Sequence, residues 1–258
     1  MTRAPDLPFS LAGRRALVTG GSRGIGGAIA QLFSQAGAEV AICHHGDDDG
    51  AAILSQTFEA KGKMLHVQNC DVSDEAQVAE LSDWTTQKLG APDILVNCAG
   101  IGGRDKPFGE VTTAEWDRMI AVNLRGVFLV SRAVFPGMVE RGYGRIVNIA
   151  SQLAYKGAPG LAAYVAAKSG VVGLTRALSY EGAPHDVMVN GIAPGPVETP
   201  LLMAHTDDWL EMKKGQLPMG RFGQSEEIAP TALLLASQTG GAFYCGQTLS
   251  PNGGDVMI

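Results

Sequence analysis

The sequence predicts a single α/β domain of 258 residues, a doubly wound parallel sheet of about seven strands with helices on both faces. Three observations predict it. Short apolar runs alternate with longer helical stretches along almost the whole chain. Runs such as Ile94-Leu95-Val96 are apolar without interruption, as strands covered on both faces are. A glycine-rich turn joins the first strand directly to the first helix.

Taken in order, residues 16–19 read as a strand and 24–35 as the helix that follows the turn. A second strand covers 39–43, a weaker helix 51–60 and a third strand 64–67. Residues 75–88 read as a helix and 93–97 as the fourth strand. A long helix spans 114–141, where Pro136 is expected to kink or locally unwind it. A fifth strand at 145–150 precedes a helix at 162–181, and a sixth strand covers 187–190. The last helix is 226–237 and the final strand 246–250. Only 195–222 breaks the rhythm. It holds several prolines and a mixed helical patch around Trp209, and an excursion of this length near the ligand end of such a sheet is expected to form a substrate lid.

Composition bounds the function. A chain that is 45% hydrophobic can bury one sizeable core, and its 34 glycines form no repeat. The net charge of -6 and the lack of a Lys/Arg run exclude the electrostatic footprint of a nucleic-acid or anionic-membrane binder. The N-terminus lacks the apolar core of a signal peptide, and no run approaches the roughly 18 apolar residues of a membrane span. A cytoplasmic protein is expected. Cys43, Cys70, Cys98 and Cys245 have no metal-site spacing, so no metal is expected. Three of them sit near strand ends, where buried free thiols are common.

Strand one runs into Thr19-Gly20-Gly21-Ser22-Arg23-Gly24-Ile25-Gly26. Glycines let the backbone approach a pyrophosphate, and the helix N-terminus offers it unpaired N–H groups. The spacing is G-x-x-x-G-x-G rather than G-x-G-x-x-G. A glycine-rich turn alone is a weak signal, because many strand–helix turns use glycine for packing.

Tyr164 and Lys168 lie four residues apart on the 162–181 helix and share a face. A phenol of ordinary pKa near 10 is a poor acid–base group at neutral pH. A nearby cation favours phenolate, which lets the tyrosine exchange a proton with an alcohol. Ser151, at the end of strand five, offers a hydroxyl to a substrate oxygen, and Asn123 is suited to hold a water against the lysine.

On these residues the chain resembles the short-chain dehydrogenase/reductase family over residues 11–258. The resemblance rests on the TGGSRGIG turn, Cys70-Asp71-Val72, Asn97-Cys98-Ala99-Gly100, Asn123, Ser151, Tyr164, Lys168 and Pro194-Gly195, in the family's order and spacing. It implies a Rossmann-like sheet of order 3-2-1-4-5-6-7 and an NAD(P)-dependent ketone reductase or alcohol dehydrogenase, similar to 3-oxoacyl-ACP reductase-like members. It implies Ser151 as carbonyl anchor, Tyr164 as acid/base, Lys168 as ribose binder and Asn123 as proton-relay support. The turn residues Gly20, Ser22, Arg23, Gly24, Ile25 and Gly26 would hold the pyrophosphate. Asp71 and Val72 would meet the adenine, Asn97, Ala99 and Gly100 would underlie the cofactor, and Pro194, Gly195, Val197 and Thr199 would meet the nicotinamide end. Cys98 departs from the family, which often has a second Asn there. A homotetramer is implied, with the 114–141 and 162–181 helices at one interface and the C-terminal strand at another.

His44 stands where NAD-preferring relatives carry Asp, and His45 where many NADP-preferring ones carry Arg. With Arg23 nearby, NADP is favoured over NAD. Asp47-Asp48-Asp49 argue the other way. The apolar residues Leu153, Ala154, Leu201, Leu202, Met203 and Trp209, with Gln152, Tyr155 and 158–161, point to an apolar small-molecule ketone or alcohol. Gly142 and His185 occupy positions where carrier-protein reductases have basic residues; Arg141 and Arg145 lie nearby, so that substrate is weakened. The alternatives are an NAD-dependent polyol or sugar alcohol dehydrogenase and, in another class, a cofactor-sensing protein without turnover.

Overall fold

The computed structural model describes residues 9–103 and 105–257; residues 1–8, part of the stretch read for a signal peptide, lie outside them. The first half runs β1 (Arg15–Thr19), α1 (Gly24–Gln35), β2 (Glu39–His44), α2 (Asp48–Glu59), β3 (Leu65–Asn69), α3 (Glu75–Leu89) and β4 (Ile94–Asn97). The second half runs α4 (Thr113–Ile120), a π-helical turn (Ala121–Arg125), α5 (Gly126–Arg141), β5 (Gly144–Ile149), α6 (Leu153–Lys156) and α7 (Ala162–Gly182). It ends with β6 (Val187–Ile192), α8 (Asp207–Gly215), α9 (Ser225–Ala236), α10 (Gln238–Gly241) and β7 (Thr248–Leu249). The strands form one seven-stranded sheet of order β3-β2-β1-β4-β5-β6-β7, every pair parallel.

Strand alternation explains the uninterrupted apolar runs. Ala16, Val18, Val40, Ile42, Ile94 and Val96 face a core with α1, α2 and α9. Leu17, Ala41, Cys43 and Leu95 face the opposite core, built with α3 and α5. Because both faces are covered, successive residues are both buried.

Several local features differ from the sequence expectation. The second helix starts a turn early, at Asp48, because Asp48 and Asp49 favour the positive end of a helix. Pro136 lies inside α5, and the departure from α-helical hydrogen bonding falls instead at 121–125. The last strand shrinks to Thr248–Leu249, since Gly246 takes a positive φ and Pro251 lacks an N–H. The expectation about membrane-spanning runs also needs correction. The continuous helix Thr113–Arg141 is long and apolar enough to cross a membrane by length and composition. Half of its most apolar stretch is buried inside the protein, where Leu129, Val130, Val134 and Met138 pack on the sheet.

Candidate active site

The site is built at the carboxyl ends of β1, β4, β5 and β6. Gly20 takes φ +62°, and a Cβ there would lie 2.7 Å from the Ala99 backbone. A Cβ on Gly26 would lie 2.2 Å from the Gly20 carbonyl oxygen. The turn is thus as tight as glycine alone permits. The N-cap residue Arg23 makes no side-chain capping bond to α1, which leaves N–H groups of its first turn for an anion. This cradle fits the pyrophosphate of a dinucleotide. Ile25 packs inward on the first core, and Thr199 crosses the turn, 3.3 Å from where a Gly24 Cβ would lie.

Around β2 the side chains sort differently from expectation. His44 is buried, and its Nδ1 accepts a hydrogen bond from the Asp47 N–H at 3.2 Å. His45 is exposed, with Nε2 3.9 Å from Asp71 Oδ2. Asp47 is the functional-looking residue that sequence reasoning treated only as part of an acidic run. Its carboxylate accepts from Ser22 Oγ at 2.6 Å and lies 3.4 Å from the Arg23 guanidinium. Asp71 accepts from the Ser73 N–H and hydroxyl and from Arg118. Burial pushes its carboxyl up, but these hydrogen bonds outweigh it and hold the group below the ordinary range. Val72 is buried against Gly126.

At the end of β4 a buried polar network fixes the strand. Asn97 Nδ2 donates to Asn148 Oδ1 at 2.8 Å and to Ser131 Oγ at 3.0 Å, and Asn148 donates to Thr175. Thr19 Oγ1 accepts from both the Cys98 and Ala99 N–H groups at 3.1 Å. Ser131, Asn148 and Thr175 escaped sequence reasoning, and Thr19 entered it only as the first residue of the turn, because isolated polar residues on apolar elements carry no periodic signal. Cys98 is half-buried, and burial pushes its thiol up to about 11.

Asn123 sits in the π-helical turn, fully buried. Such turns recur at functional sites because the widened ring re-aims one side chain. Asn123 exchanges hydrogen bonds with the Ile101 backbone, accepting at 3.2 Å and donating at 3.0 Å. Asn123 and Lys168 meet at Gly100, where a Cβ would lie 2.6 Å from Asn123 Oδ1 and 3.6 Å from Lys168 Nζ.

Lys168 is buried and donates from Nζ to the Ile149 carbonyl at 2.8 Å. Burial lowers its pKa from 10.5 to about 8. Nζ stands 5.9 Å from the centre of the Tyr164 ring, so the two share a helix face. The expected lowering of the phenol is not found. Burial raises Tyr164 above its ordinary value, and a hydrogen bond with Ser151 offsets that only in part. Lys168 Nζ donates instead to the Ile149 carbonyl, and no lowering by the lysine offsets the burial of the phenol.

At the end of β6, Pro194 accepts from the Gln152 N–H, and Gly195 N–H donates to the Pro251 carbonyl. Val197 is buried and bridges to Gly223. The segment beyond it folds on a small core of Leu210, Leu217 and Phe222, with Leu202 and Trp209 packed against it.

Residues 14–209 match the family model for short chain dehydrogenases. The chain belongs to that family. It is 43% identical over 245 residues to an acetoacetyl-CoA reductase of Allochromatium vinosum, covering 95% of this chain and 99% of the relative. It is 40% identical to the 3-oxoacyl-acyl-carrier-protein reductase FabG of Vibrio harveyi, covering 97% and 100% of the two chains. Among solved structures, a gluconate 5-dehydrogenase from Burkholderia cenocepacia in complex with NADP and tartrate superposes with a TM-score of 0.89 at 38% identity, over 96% of each chain. The protein is therefore an oxidoreductase acting on CH–OH groups, of the ketoreductase type.

Proposed function

We propose that this short-chain dehydrogenase is an NADPH-dependent ketone reductase whose proton donor is Tyr164, with a 3-oxoacyl thioester as its first candidate substrate. The observation that carries it is the meeting of Ser151, Tyr164, Lys168 and Asn123 at strand ends beside the glycine-rich turn. A bound nicotinamide supplies the hydride. Ser151 donates a hydrogen bond to the carbonyl oxygen and holds it against Tyr164. The phenol is protonated at neutral pH and burial raises it further, so it retains its proton until negative charge develops on that oxygen, then donates it. Lys168, with a pKa of about 8, passes a replacement proton toward the phenol, and Asn123 holds a water against the lysine. Lys168 also holds the nicotinamide ribose, Val197 and Thr199 the carboxamide, and Asp71 and Val72 the adenine.

NADPH is favoured for four reasons. The end of β2 carries a histidine rather than a carboxylate. The Arg23 guanidinium is more than half exposed beside the turn. The acid paired with it, Asp47, also accepts from Ser22, so its field is largely compensated. The Burkholderia relative binds NADP. The thioester follows the two reductases named above, and residues 195–222 act as the lid over it. A homotetramer is supported by Phe128 on α5 and Tyr180 on α7, large side chains exposed on the helices expected at the interface. The chain works in the cytoplasm.

The test compares initial rates on acetoacetyl-CoA with NADPH and NADH. NADPH should win by at least about tenfold, a difference of roughly 1.4 kcal/mol. Tyr164→Phe should bind NADPH as the wild type does and lose about 10²–10⁴ in turnover. Retained turnover in that variant would refute Tyr164 as the donor.

A further inference from the structure

The chain after β7 folds into a strap that crosses the site side of the molecule. Ser250 Oγ donates to the Ala193 carbonyl at 2.8 Å, and a Cβ on Gly195 would lie 2.6 Å from Asn252 Cα. Asn252 then closes the strap on itself, donating to the Val256 carbonyl at 2.7 Å and accepting from the Gly254 N–H at 2.8 Å. Gly253 and Gly254 both take positive φ, and a Cβ on Gly254 would lie 3.0 Å from Pro218 at the end of the lid.

This turn delivers one carboxylate, Asp255, to a junction of three elements. Its side chain is only 4% exposed. Oδ1 accepts from Lys156 Nζ of α6 at 2.7 Å, and Oδ2 from Lys213 Nζ of α8 at 2.9 Å. Oδ2 also accepts from Nε2 of Gln152, the residue after Ser151. Burial alone would push the carboxyl up, but the bonds from Lys156, Lys213 and Gln152 outweigh it and keep the group ionised. Val197 joins the first core, but Leu210, Leu217 and Phe222, with Leu202 and Trp209, pack in a small cluster apart from the main cores. A buried, charge-assisted tie is therefore well placed to decide where α8 sits relative to Ser151, because a buried carboxylate tolerates the loss of a cation poorly.

We infer that Asp255 is a positioning residue that latches the lid helix α8, through Lys213, to the Gln152 segment beside Ser151. Opening the lid breaks the Lys213 bond while Lys156 and Gln152 keep the carboxylate on the body. The inference rests on the reading of 195–222 as the substrate lid, and the test separates the two.

Hydrogen exchange is followed peptide by peptide in wild type, Asp255→Asn and Lys213→Met, alongside KM and kcat for acetoacetyl-CoA and the Kd of NADPH. Amides of α8 should exchange about tenfold faster in both variants, with α9 and the central strands unchanged. KM should rise about tenfold with kcat within about threefold, and NADPH affinity should stay within about twofold. The double variant should be no worse than either single one, as expected of two halves of one contact. Faster exchange confined to 250–257, with α8 unchanged, would reduce Asp255 to a tail anchor and overturn the inference. Additive effects of the two substitutions would overturn it too. If Asp255→Asn does not fold, Lys213→Met carries the test. If wild type turns over no ketone, the proposed function falls while the exchange arm still reads the latch.

Discussion

Replacing Lys168 by methionine tests whether a charge is held at the site against its own solvation. The ammonium is buried, and burial moves its pKa from 10.5 to about 8. Below pH 8 the lysine is protonated in both folded and unfolded chains, so the burial penalty is fully present. Between pH 8 and 10.5 the folded chain has released a proton that the unfolded chain still binds, and stability climbs with pH at up to roughly 1.4 kcal/mol per pH unit. Above 10.5 both are neutral and the penalty is gone. The whole difference is about 3 kcal/mol. Methionine lacks the charge and should show none of this rise. Cys98 and Tyr164, both raised by burial, lose stability at high pH in both proteins; because Lys168 and Cys98 act on each other, the comparison is made on a Cys98→Ala background. The assay is urea unfolding of the ligand-free Cys98→Ala protein with and without Lys168→Met, at matched protein concentration from pH 7 to 10. The difference between the two should grow with pH by about 2–3 kcal/mol in favour of the lysine. Parallel stability curves would refute the claim that the lysine is strained by burial.

Other outcomes follow from the same contacts. Gly26→Ala puts a carbon 2.2 Å from the Gly20 carbonyl, so the turn must open; NADPH binding, followed by fluorescence, should weaken by more than about tenfold, and unchanged binding would remove the cradle. Arg23→Ala should weaken NADPH by about tenfold and leave NADH nearly unaffected; an equal loss for both cofactors would assign Arg23 to the pyrophosphate instead. Thr19→Val leaves the Cys98 and Ala99 N–H groups without their acceptor, and should cost about 2 kcal/mol in urea unfolding; a loss below about 0.5 kcal/mol would show that water replaces the hydroxyl.

Much of the fold was legible because its signals are local. Apolar runs, turn glycines and helix lengths each report on a few neighbouring residues, and their alternation implies a parallel sheet. The order of the strands and the spacing of Ser151, Tyr164 and Lys168 came from the family pattern. Element edges were read less well where a cap, a charge at a helix end or a proline decided them, as at Asp48 and Pro251. The π-helical turn carrying Asn123 has no compositional mark, since it arises from how α4 and α5 meet the sheet.

The class of domain, the glycine turn and the residues able to move a proton all depend on residue type and short spacing, so they can be read along the chain. What those groups experience was set by packing. It buried Lys168 against the Ile149 carbonyl, raised the Tyr164 phenol above its ordinary range, turned Asp47 toward Arg23 and brought Asp255 to Lys213 from 42 residues away. Desolvation and long-range pairing depend on which surfaces meet after folding, and neither is written in any local stretch of chain.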